Sequence, residues 1–349
     1  MVVRMEPSGT RRKYQPILDI KQTETAIKLI KTFFERSLST ELRLFRVTSP
    51  LFVKRGSGIN DDLTGVERPV TFPVANLDNA EVEIVQSLAK WKRMALADYG
   101  YARHTGIYTD MNAIRPDDTV DETHSIYVDQ WDWELVMDPA ARTEAFLVDV
   151  VQRIYDTIRR TEFVVHEQYP DIPLELPARI TFVHSEEACR RYPDLQPEQR
   201  EHELAREYGA VFVAGIGATL ADGREHGQRA PDYDDWSSMT ETGNRGLNGD
   251  IILWDSVRQQ ALEISSMGIR VDREALLRQL ELTGHEDRRS LYWHRRFLAG
   301  DFPQTIGGGI GQSRLCMYLL RKAHVGEVQA SVWPEEMLAR CRTDGIPLM

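Results

Sequence analysis

Apolar residues recur at helical spacing in several segments of the chain. Ile30, Phe34 and Leu38 follow one face of a helix, and Asp19 and Gln22 form a possible capping pair at its start. This pattern predicts a first helix that ends near "SLST". The same reasoning predicts further helices over residues 139–169, 197–208, 272–282 and 286–299, and one that begins near residue 87.

Residues 124–136, "HSIYVDQWDWELV", alternate with a period of two instead. Gln130 and Asp132 fall on one face of this predicted strand, and Trp131 and Trp133 fall on the other. Further strands are predicted over residues 42–54, 81–86, 179–184, 210–217, 250–257 and 261–271. Within the first of these, Pro50 indicates an edge position, a bulge or a strand end. Consecutive strands joined by short turns predict an antiparallel sheet with helices outside it, an α+β fold.

The stretch "TIGGGIGQSRLCMYLL", residues 305–320, holds four glycines in five positions before an arginine and an apolar run. A Walker loop is excluded because no lysine follows the glycines, and a dinucleotide fingerprint fails at Gln312. A flexible turn ahead of a core helix remains possible. We favour a slim strand against which adenine lies, with Arg314 recognising the nucleotide and Leu315 to Leu320 burying the helix.

Composition narrows the classes of function. The chain has 349 residues, of which 42% are hydrophobic and 28% charged, as in a soluble globular protein. Its 43 basic and 54 acidic residues give a net charge of −11, which argues against nucleic acid as a partner. Three cysteines without paired spacing indicate reduced thiols and a cytoplasmic location. No apolar run approaches membrane-spanning length, so no membrane association is expected.

Four polar clusters are candidates for chemistry. They are Arg115 ahead of the strand with Gln130 and Asp132; Arg229 with Asp232, Asp234 and Asp235; Asp250 and Glu263 on neighbouring predicted strands, followed by Arg270; and Arg314 after the glycines. Carboxylate pairs and arginines without Cys or His metal spacing suit magnesium and a phosphate ester, although each single residue is as readily explained as surface charge.

Longer segments resemble known families. "LFRVTSPLF", Arg115 and "GGIGQSRLCMYLL" are similar, in order, to the three motifs of class II aminoacyl-tRNA synthetases. "QSLAKWK" and "EISSMGIRVD" resemble the substrate-binding and magnesium-binding segments of the aspartyl and asparaginyl enzymes. From about Thr23 onward, "YVDQWDWE", "RAPDYDDW", "LNGDI" and "QTIGGGIGQSRL" more closely resemble the asparagine synthetase A family of aspartate–ammonia ligases. Ser313 departs from the acid that synthetases usually carry before the motif arginine.

The resemblance implies a class II aminoacyl-tRNA synthetase-like core, mainly antiparallel sheet flanked by helices, and a homodimer formed through the first motif. It further implies a two-step reaction. The β-carboxylate of L-aspartate attacks the α-phosphorus of ATP and releases pyrophosphate, and ammonia then displaces AMP to give asparagine. Residues 19–349 would form a single catalytic domain and residues 1–18 a flexible N-terminal extension.

Residue roles also follow from the resemblance. Catalytic residues would be Arg115, Gln130, Asp132 and Arg314. Aspartate would be bound by Asp61, Ser87, Lys92, Gln130, Asp132, Arg229 and Asp234. ATP would be bound by Arg115, Asp250, Glu263, Ser266, Arg270 and Arg314, with Mg²⁺ held by Asp250, Glu263 and Ser266.

Two alternative functions are an aspartyl or asparaginyl-tRNA synthetase and a non-catalytic paralogue that binds an amino acid. The catalytic motifs fill the chain and leave no room for an anticodon-binding domain, which disfavours the first. Every expected contact position carries a suitable residue, which disfavours the second. Ammonia is preferred to glutamine as nitrogen donor because residue 2 is Val2 and no cysteine has an obvious catalytic setting.

Overall fold

A large mixed sheet forms the centre of the fold. The structure, a computed structural model, describes residues 14–61, 63 and 67–349. The strands are β1 (Leu44–Arg46), β2 (Phe52–Lys54), β3 (Thr71–Val74), β4 (Ala80–Ile84), β5 (Gly106–Ile114), β6 (Tyr127–Val136), β7 (Thr181–His184), β8 (Ala210–Ala214), β9 (Asn248–Asp255), β10 (Gln260–Ile269) and β11 (Thr305–Gly311). The helices are α1 (Ile20–Leu42), α2 (Ala89–Asp98), α3 (Glu144–Gln168), α4 (Ser185–Arg191), α5 (Pro197–Tyr208), α6 (Arg273–Leu282), α7 (Tyr292–Ala299), α8 (Gln312–Leu319) and α9 (Glu335–Asp344).

The large sheet has eight strands in the order β1-β5-β6-β11-β10-β9-β8-β7. The outermost pair at each end is parallel and the five pairings between them are antiparallel. A smaller antiparallel sheet has the order β2-β4-β3. The predicted antiparallel sheet with helices outside it is therefore confirmed. The glycine strand β11 lies near its middle, between β6 and β10.

The two faces of the sheet carry different layers. On one face, Trp131 and Trp133 of β6 are fully buried in the largest core, which includes residues of α1, α3 and α8. Phe34 of α1 packs against Trp131 with ring centroids 4.6 Å apart. On the other face, Ile107 of β5 packs with Leu96 of α2 in a smaller core. The alternation of β6 therefore directs its even-numbered polar residues toward the α2 side.

Local signals explain several element boundaries. The capping pair at α1 is confirmed, because the Gln22 amide donates to Asp19 Oδ1 at 2.8 Å and the Asp19 amide donates to Gln22 Oε1 at 3.0 Å. The predicted strand 42–54 is instead two short strands in different sheets, β1 and β2. Pro50 lies between them, and since proline lacks an amide hydrogen it ends the ladder.

Two predicted helices are interrupted. The segment from residue 139 begins as a 3₁₀ turn, Pro139–Ala141, and α3 starts only after Thr143, whose hydroxyl accepts the Phe146 amide at 3.3 Å. The segment from residue 286 is likewise a 3₁₀ turn, Glu286–Ser290, followed by α7. The helix expected near residue 87 begins two residues later, at α2. Periodicity alone missed β3, β5, α4 and α9.

The predicted extension over residues 1–18 is partly packed. Leu18 is buried, and the Tyr14 hydroxyl donates to the Glu327 carboxylate at 3.0 Å. Residues 14–18 therefore contact the C-terminal part of the chain, while residues 1–13 lie outside the described residues.

Candidate active site

A cavity of about 360 Å³ opens on the α2 face of the large sheet, above β6, β10 and β11. Four predicted site residues line it: Arg115, Gln130, Glu263 and Arg314. They come from the end of β5, from β6, from β10 and from α8, so sheet pairing brings together side chains that are far apart in the sequence. Three of the six residues expected to bind ATP, Arg115, Glu263 and Arg314, therefore line this cavity, while Asp250, Ser266 and Arg270 lie outside its lining.

Arg115 is held from behind by the backbone. Its Nε and Nη2 atoms donate to the Gln86 carbonyl oxygen at 3.3 and 3.1 Å. These bonds use one edge of the guanidinium, and the group lines the cavity. A fixed, planar cation of this kind suits a phosphate whose charge grows during reaction.

Arg314 lies in the first turn of α8 and is oriented from two sides. Its Nε donates to the Thr123 carbonyl at 3.4 Å, and its Nη1 donates to the Glu263 carbonyl at 3.2 Å. The start of the helix is tied to Asp129 of β6, which accepts the Ser313 amide at 3.0 Å and the Ser313 hydroxyl at 2.9 Å. Asp129 was not predicted as a site residue, but it lines the cavity beside Ser313.

The glycines of β11 make space rather than bind phosphate through the backbone. A Cβ on Gly307 would lie 2.0 Å from Glu134 Oε2, and one on Gly309 would lie 2.2 Å from Gln130 Oε1. The strand is paired on both sides, so its amides belong to the sheet. Gly309 and Gly311 line the cavity, consistent with a slim surface beside the nucleotide.

Next to the cavity lies a buried network of charged side chains. Lys92 Nζ donates to Asp132 and lies 3.6 Å from Glu134 Oε2. Arg270 donates to both oxygens of Glu134, at 2.8 to 3.2 Å, and also to Asp234. We call these five residues the carboxylate network. Its three carboxylates outnumber its two cations, so it has one surplus negative charge in a site screened from water.

The pKa shifts within the network follow its contacts. Burial raises the pKa of Asp132 and also that of Asp234, more than their cationic partners lower it. Burial acts on Glu134 too, but Arg270 and Lys92 together hold the pKa of Glu134 below its usual value. Asp132 and Asp234 are therefore the carboxylates of the network whose negative charge an additional cation would stabilise.

Asp250 and Glu263 extend the site onto β9 and β10. Arg229 Nη2 donates to both carboxylate oxygens of Asp250, at 2.6 and 2.5 Å. Burial raises the pKa of Asp250 to about 7, the nearby Glu263 carboxylate adds to the effect, and Arg229 opposes it. Ser266 lies directly opposite Asp250 in the pairing of β10 with β9.

These oxygen donors fit magnesium that arrives with a nucleotide. Within residues 14–61, 63 and 67–349 there is no group of three His, Cys, Asp or Glu side chains that could hold a metal ion alone. Asp250 and Glu263 are two hard carboxylates whose mutual repulsion a cation would relieve, and Mg²⁺ commonly takes its other ligands from phosphates and water. The chemistry of the donor set therefore agrees with a shared site completed by ATP.

Asp61 and Ser87 border the site from the α2 side. Asp61 is 3% exposed, and its carbonyl accepts Gln86 Nε2 at 2.9 Å. Ser87 Oγ accepts the Ala89 amide at 3.1 Å at the start of α2. Tyr233, which was not predicted, is partly buried here, and burial followed by the charge on Asp61 raises its pKa well above the usual value.

Arg270 is buried within the carboxylate network. Arg270 was expected to contact ATP, but it does not line the cavity and is 2% exposed. Both sides of its guanidinium are occupied by Glu134 and Asp234. Its position favours holding these two carboxylates. Glu134 was missed, although extending the alternation of β6 by one step from Asp132 would have found it.

Two further sequence predictions concern membrane-spanning helices and the cysteines. No helix among residues 14–61, 63 and 67–349 is long and apolar enough to cross a membrane. Cys189, Cys316 and Cys341 are buried and unbridged, as predicted.

The fold of the chain is that of the catalytic core of class II aminoacyl-tRNA synthetases. The chain is similar to asparaginyl-tRNA synthetase of Entamoeba histolytica in complex with asparaginyl-adenylate, with a TM-score of 0.63 and 16% identity. It is also similar to that of Pyrococcus horikoshii complexed with asparaginyl-adenylate, with a TM-score of 0.65 and 14% identity. Each match covers 89% of this chain, but only 66% and 70% of the respective synthetases. The predicted fold class is thereby confirmed.

Sequence comparison identifies the family. The model of the aspartate-ammonia ligase family matches residues 21–345, and the chain belongs to that family. Aspartate–ammonia ligase of Parabacteroides distasonis is 54% identical over 345 residues, 99% of both chains. The aspartate–ammonia ligase of Bacteroides fragilis is 56% identical, and the match covers 97% of this chain and 98% of that relative. The aspartate–ammonia ligase of Clostridium perfringens is 50% identical, and the match covers 99% of this chain and 100% of that relative.

Proposed function

We propose that the protein makes asparagine from L-aspartate, ammonia and ATP through a β-aspartyl-AMP intermediate. The observation that carries this proposal is the carboxylate network beside a cavity lined by Arg115 and Arg314. The surplus negative charge of the network suits the ammonium group of aspartate, and the arginines suit the phosphates of ATP. The family membership of the chain and its relatives' names support the same reaction.

The first step activates a poor electrophile. An oxygen of the aspartate β-carboxylate attacks the α-phosphorus, and the bond to pyrophosphate breaks. Arg115 stabilises charge on the α-phosphate oxygens, and Arg314 binds the purine or outer phosphates. Two class II relatives in fold carry asparaginyl-adenylate in their structures, which supports an acyl-adenylate on this core.

Aspartate is held mainly by charged groups that are fixed before it binds. In our proposal, Asp132 and Asp234 face its ammonium group, while Lys92 and Arg229 compensate its carboxylates. Gln130 orients the β-carboxylate between the network and the cavity, since it and Asp132 share one face of β6. Asp61 and Ser87 complete the pocket, and Arg270 keeps Asp234 in place.

Magnesium, when it accompanies ATP, would be held by Asp250, Glu263 and Ser266 and would neutralise charge on the phosphates. The residues of the chain thereby keep the triphosphate bent for in-line attack. We further propose that the enzyme acts in the cytoplasm without nucleic acid or membrane.

Aspartate-dependent exchange of labelled pyrophosphate into ATP, measured without tRNA, tests the first step. We expect exchange that requires aspartate and no ammonia. Oxygen label in the β-carboxylate should then appear in AMP during asparagine synthesis. Absence of exchange, or of label in AMP, would exclude the adenylate.

The nitrogen donor needs a separate comparison. We expect asparagine formation with ammonium to be far more efficient than with glutamine. Equal efficiency with the two donors would overturn the proposed use of free ammonia.

A homodimer formed through the edge of the sheet completes the proposal. β1 is the edge strand of the large sheet, and Phe45 on it is 57% exposed. Leu51 and Phe52, which follow it, are also exposed. Exposed apolar side chains beside an open strand edge support a second copy of this chain as the partner.

A further inference from the structure

A second cavity, of about 320 Å³, lies beside Asp61. It is lined by residues that include Gly58, Asp61, Glu83 and His294. Asp61 belongs to the proposed aspartate pocket, and Gln86 links it to the other cavity, because Gln86 donates to the Asp61 carbonyl and accepts from Arg115. The second cavity is therefore bordered by a residue of the proposed aspartate pocket.

His294 is fully buried at the wall of this cavity, and one of its nitrogens is fixed. Its Nε2 lies 2.9 Å from Asp232 Oδ2. Burial acts to raise the pKa of Asp232. The neighbouring Lys90, His294 and Arg288 nevertheless hold this pKa far below its usual value, so Asp232 is ionised. An ionised carboxylate can only accept, and His294 Nε2 therefore carries the hydrogen of this bond.

The other nitrogen of His294, Nδ1, has no hydrogen-bond partner among the described residues, although the side chain is fully buried. The backbone of Gly58 lies close to this nitrogen, since a Cβ at that position would lie only 3.0 Å from Nδ1. Lys90 and Arg288 already neutralise Asp232, with distances of 3.1 and 3.2 Å to Oδ2. With the hydrogen of the neutral imidazole on Nε2, the lone pair of the ring lies on Nδ1.

The charges around this nitrogen suit a small cation that can donate hydrogen bonds. The charged groups that face the cavity or His294 are Arg55, Asp61, Glu83, Lys90, Asp232 and Arg288. Lys90 and Arg288 are directed at Asp232. The carboxylates of Asp61 and Glu83 line the cavity itself, and both are at least nine-tenths buried.

We propose that ammonium binds in this cavity and that His294 Nδ1, oriented by Asp232, takes one proton from it. This proposal rests on the proposed function, and it identifies the group that accepts the proton from ammonium. An N–H bond of ammonium breaks, and its proton goes to the Nδ1 lone pair. The lone pair of the resulting ammonia forms the C–N bond at the acyl carbon, and the C–O bond to AMP breaks, its electron pair leaving with AMP. The second proton leaves the amide nitrogen for the departing phosphate, and His294 returns its proton to solvent through the cavity.

His294→Gln tests this assignment with two nucleophiles. Hydroxylamine is a much weaker base than ammonia and needs no base at neutral pH. We expect kcat/KM for ammonium to fall by about 100-fold at neutral pH, as for loss of a general base. Aspartyl hydroxamate formation from hydroxylamine should stay near the wild-type rate. Equal losses with both nucleophiles, or no loss with ammonium, would overturn the role of His294.

The first half-reaction separates this proposal from the proposed function. Aspartate-dependent ATP–pyrophosphate exchange uses no ammonia, so exchange by His294→Gln shows that the variant is folded and activates aspartate. Exchange absent in the wild type would instead refute the proposed function. His202→Gln is the matched control, because His202 packs against Trp254, with ring centroids 5.2 Å apart, and lines neither cavity.

The wild-type enzyme offers a test that needs no variant. If only free ammonia enters, kcat/KM for total ammonium must rise about tenfold per pH unit below the pKa of ammonium. With an internal base that accepts the proton, the rise around neutral pH should be much shallower. A full tenfold rise per unit would contradict the proposal.

Glu83→Gln tests the binding of the cation. This variant should raise KM for ammonium and leave KM for hydroxylamine unchanged. Parallel changes in the two KM values would contradict binding of the cation in this cavity.

Discussion

Individual side chains in this site are fixed by neighbours before any substrate binds. Arg115 is held by a backbone carbonyl and Arg314 by two, while Lys92 and Arg270 are surrounded by carboxylates. Preorganisation of this kind means that charges need not reorient as the reaction proceeds. Single substitutions should therefore separate into those that remove a transition-state contact and those that disturb a buried charge balance.

Arg115→Ala belongs to the first kind. We expect kcat for asparagine formation to fall by about 100-fold or more, because a donor to the α-phosphate is lost while the fold is kept. Arg103→Ala is the matched control, since Arg103 is 63% exposed and lies 3.6 Å from Asp138 at the surface. Near-normal turnover of Arg115→Ala would make its assignment to the α-phosphate untenable.

Lys92→Met belongs to the second kind. It leaves Asp132 without its nearest cation in a buried site, which should lower the free energy of unfolding by about 3–5 kcal/mol and weaken aspartate binding. Lys31→Met, which removes a half-exposed partner 3.3 Å from Asp129, should change it by about 0–1 kcal/mol. Urea unfolding and titration with aspartate measure both effects. Equal stability of the two variants would show that the network does not depend on Lys92.

At the scale of elements, paired strands determine which side chains meet. β9 and β10 bring Asp250, Glu263 and Ser266 together, and the pairing of β6 with β11 places Gln130 and Asp132 over glycines. The bulge in β10 between Glu263 and Ser265 shifts the side-chain alternation between the metal-ligand candidates Glu263 and Ser266. Asp250, which this pairing buries beside Glu263, also makes the stability of the protein depend on pH.

Because burial raises the pKa of Asp250 to about 7, the folded protein binds more protons than the unfolded chain between about pH 4 and pH 7. The substrate-free protein should therefore lose stability as pH rises through that range, and Asp250→Asn should lose less. Binding of Mg²⁺ with ATP needs the carboxylate and should release protons near pH 7. Calorimetry in buffers of different ionisation enthalpy measures this release. Its absence would contradict the contact between Asp250 and the cation.

Local patterns made part of this site predictable. The shared face of Gln130 and Asp132 follows from strand alternation within one segment, and the helix after the glycines follows from its apolar run. The second cavity could not be found in this way. Lys90 and His294 are 142 and 62 residues from Asp232 in the sequence, so only the folded chain brings them together. The partners of Arg270 could not be predicted for a similar reason, because Glu134 and Asp234 are 136 and 36 residues away from it in the sequence.

At the scale of the whole molecule, the edge strand β1 leaves an apolar surface for a second copy. We expect the wild-type protein to be a dimer in solution and Leu51→Asp to shift it toward a monomer with reduced activity, because a charge would be buried at the interface. Light scattering after size-exclusion chromatography measures the mass. Leu282→Asp is the matched control, since Leu282 is exposed at the end of α6. A wild-type monomer, or a dimer unaffected by Leu51→Asp, would refute this interface.

The glycine strand β11 also affects how genetic variation in this protein should be interpreted. Side chains are excluded from Gly307 and Gly309 on the site face, and from Gly308 on the opposite face, where a Cβ would lie 2.5 Å from that of Met267. A survey of tolerated variants would therefore rank these positions with the reacting residues, although they contribute no functional group. Intolerance to substitution in this strand records crowding by Glu134, Gln130 and Met267, and it should not be taken as evidence of chemistry.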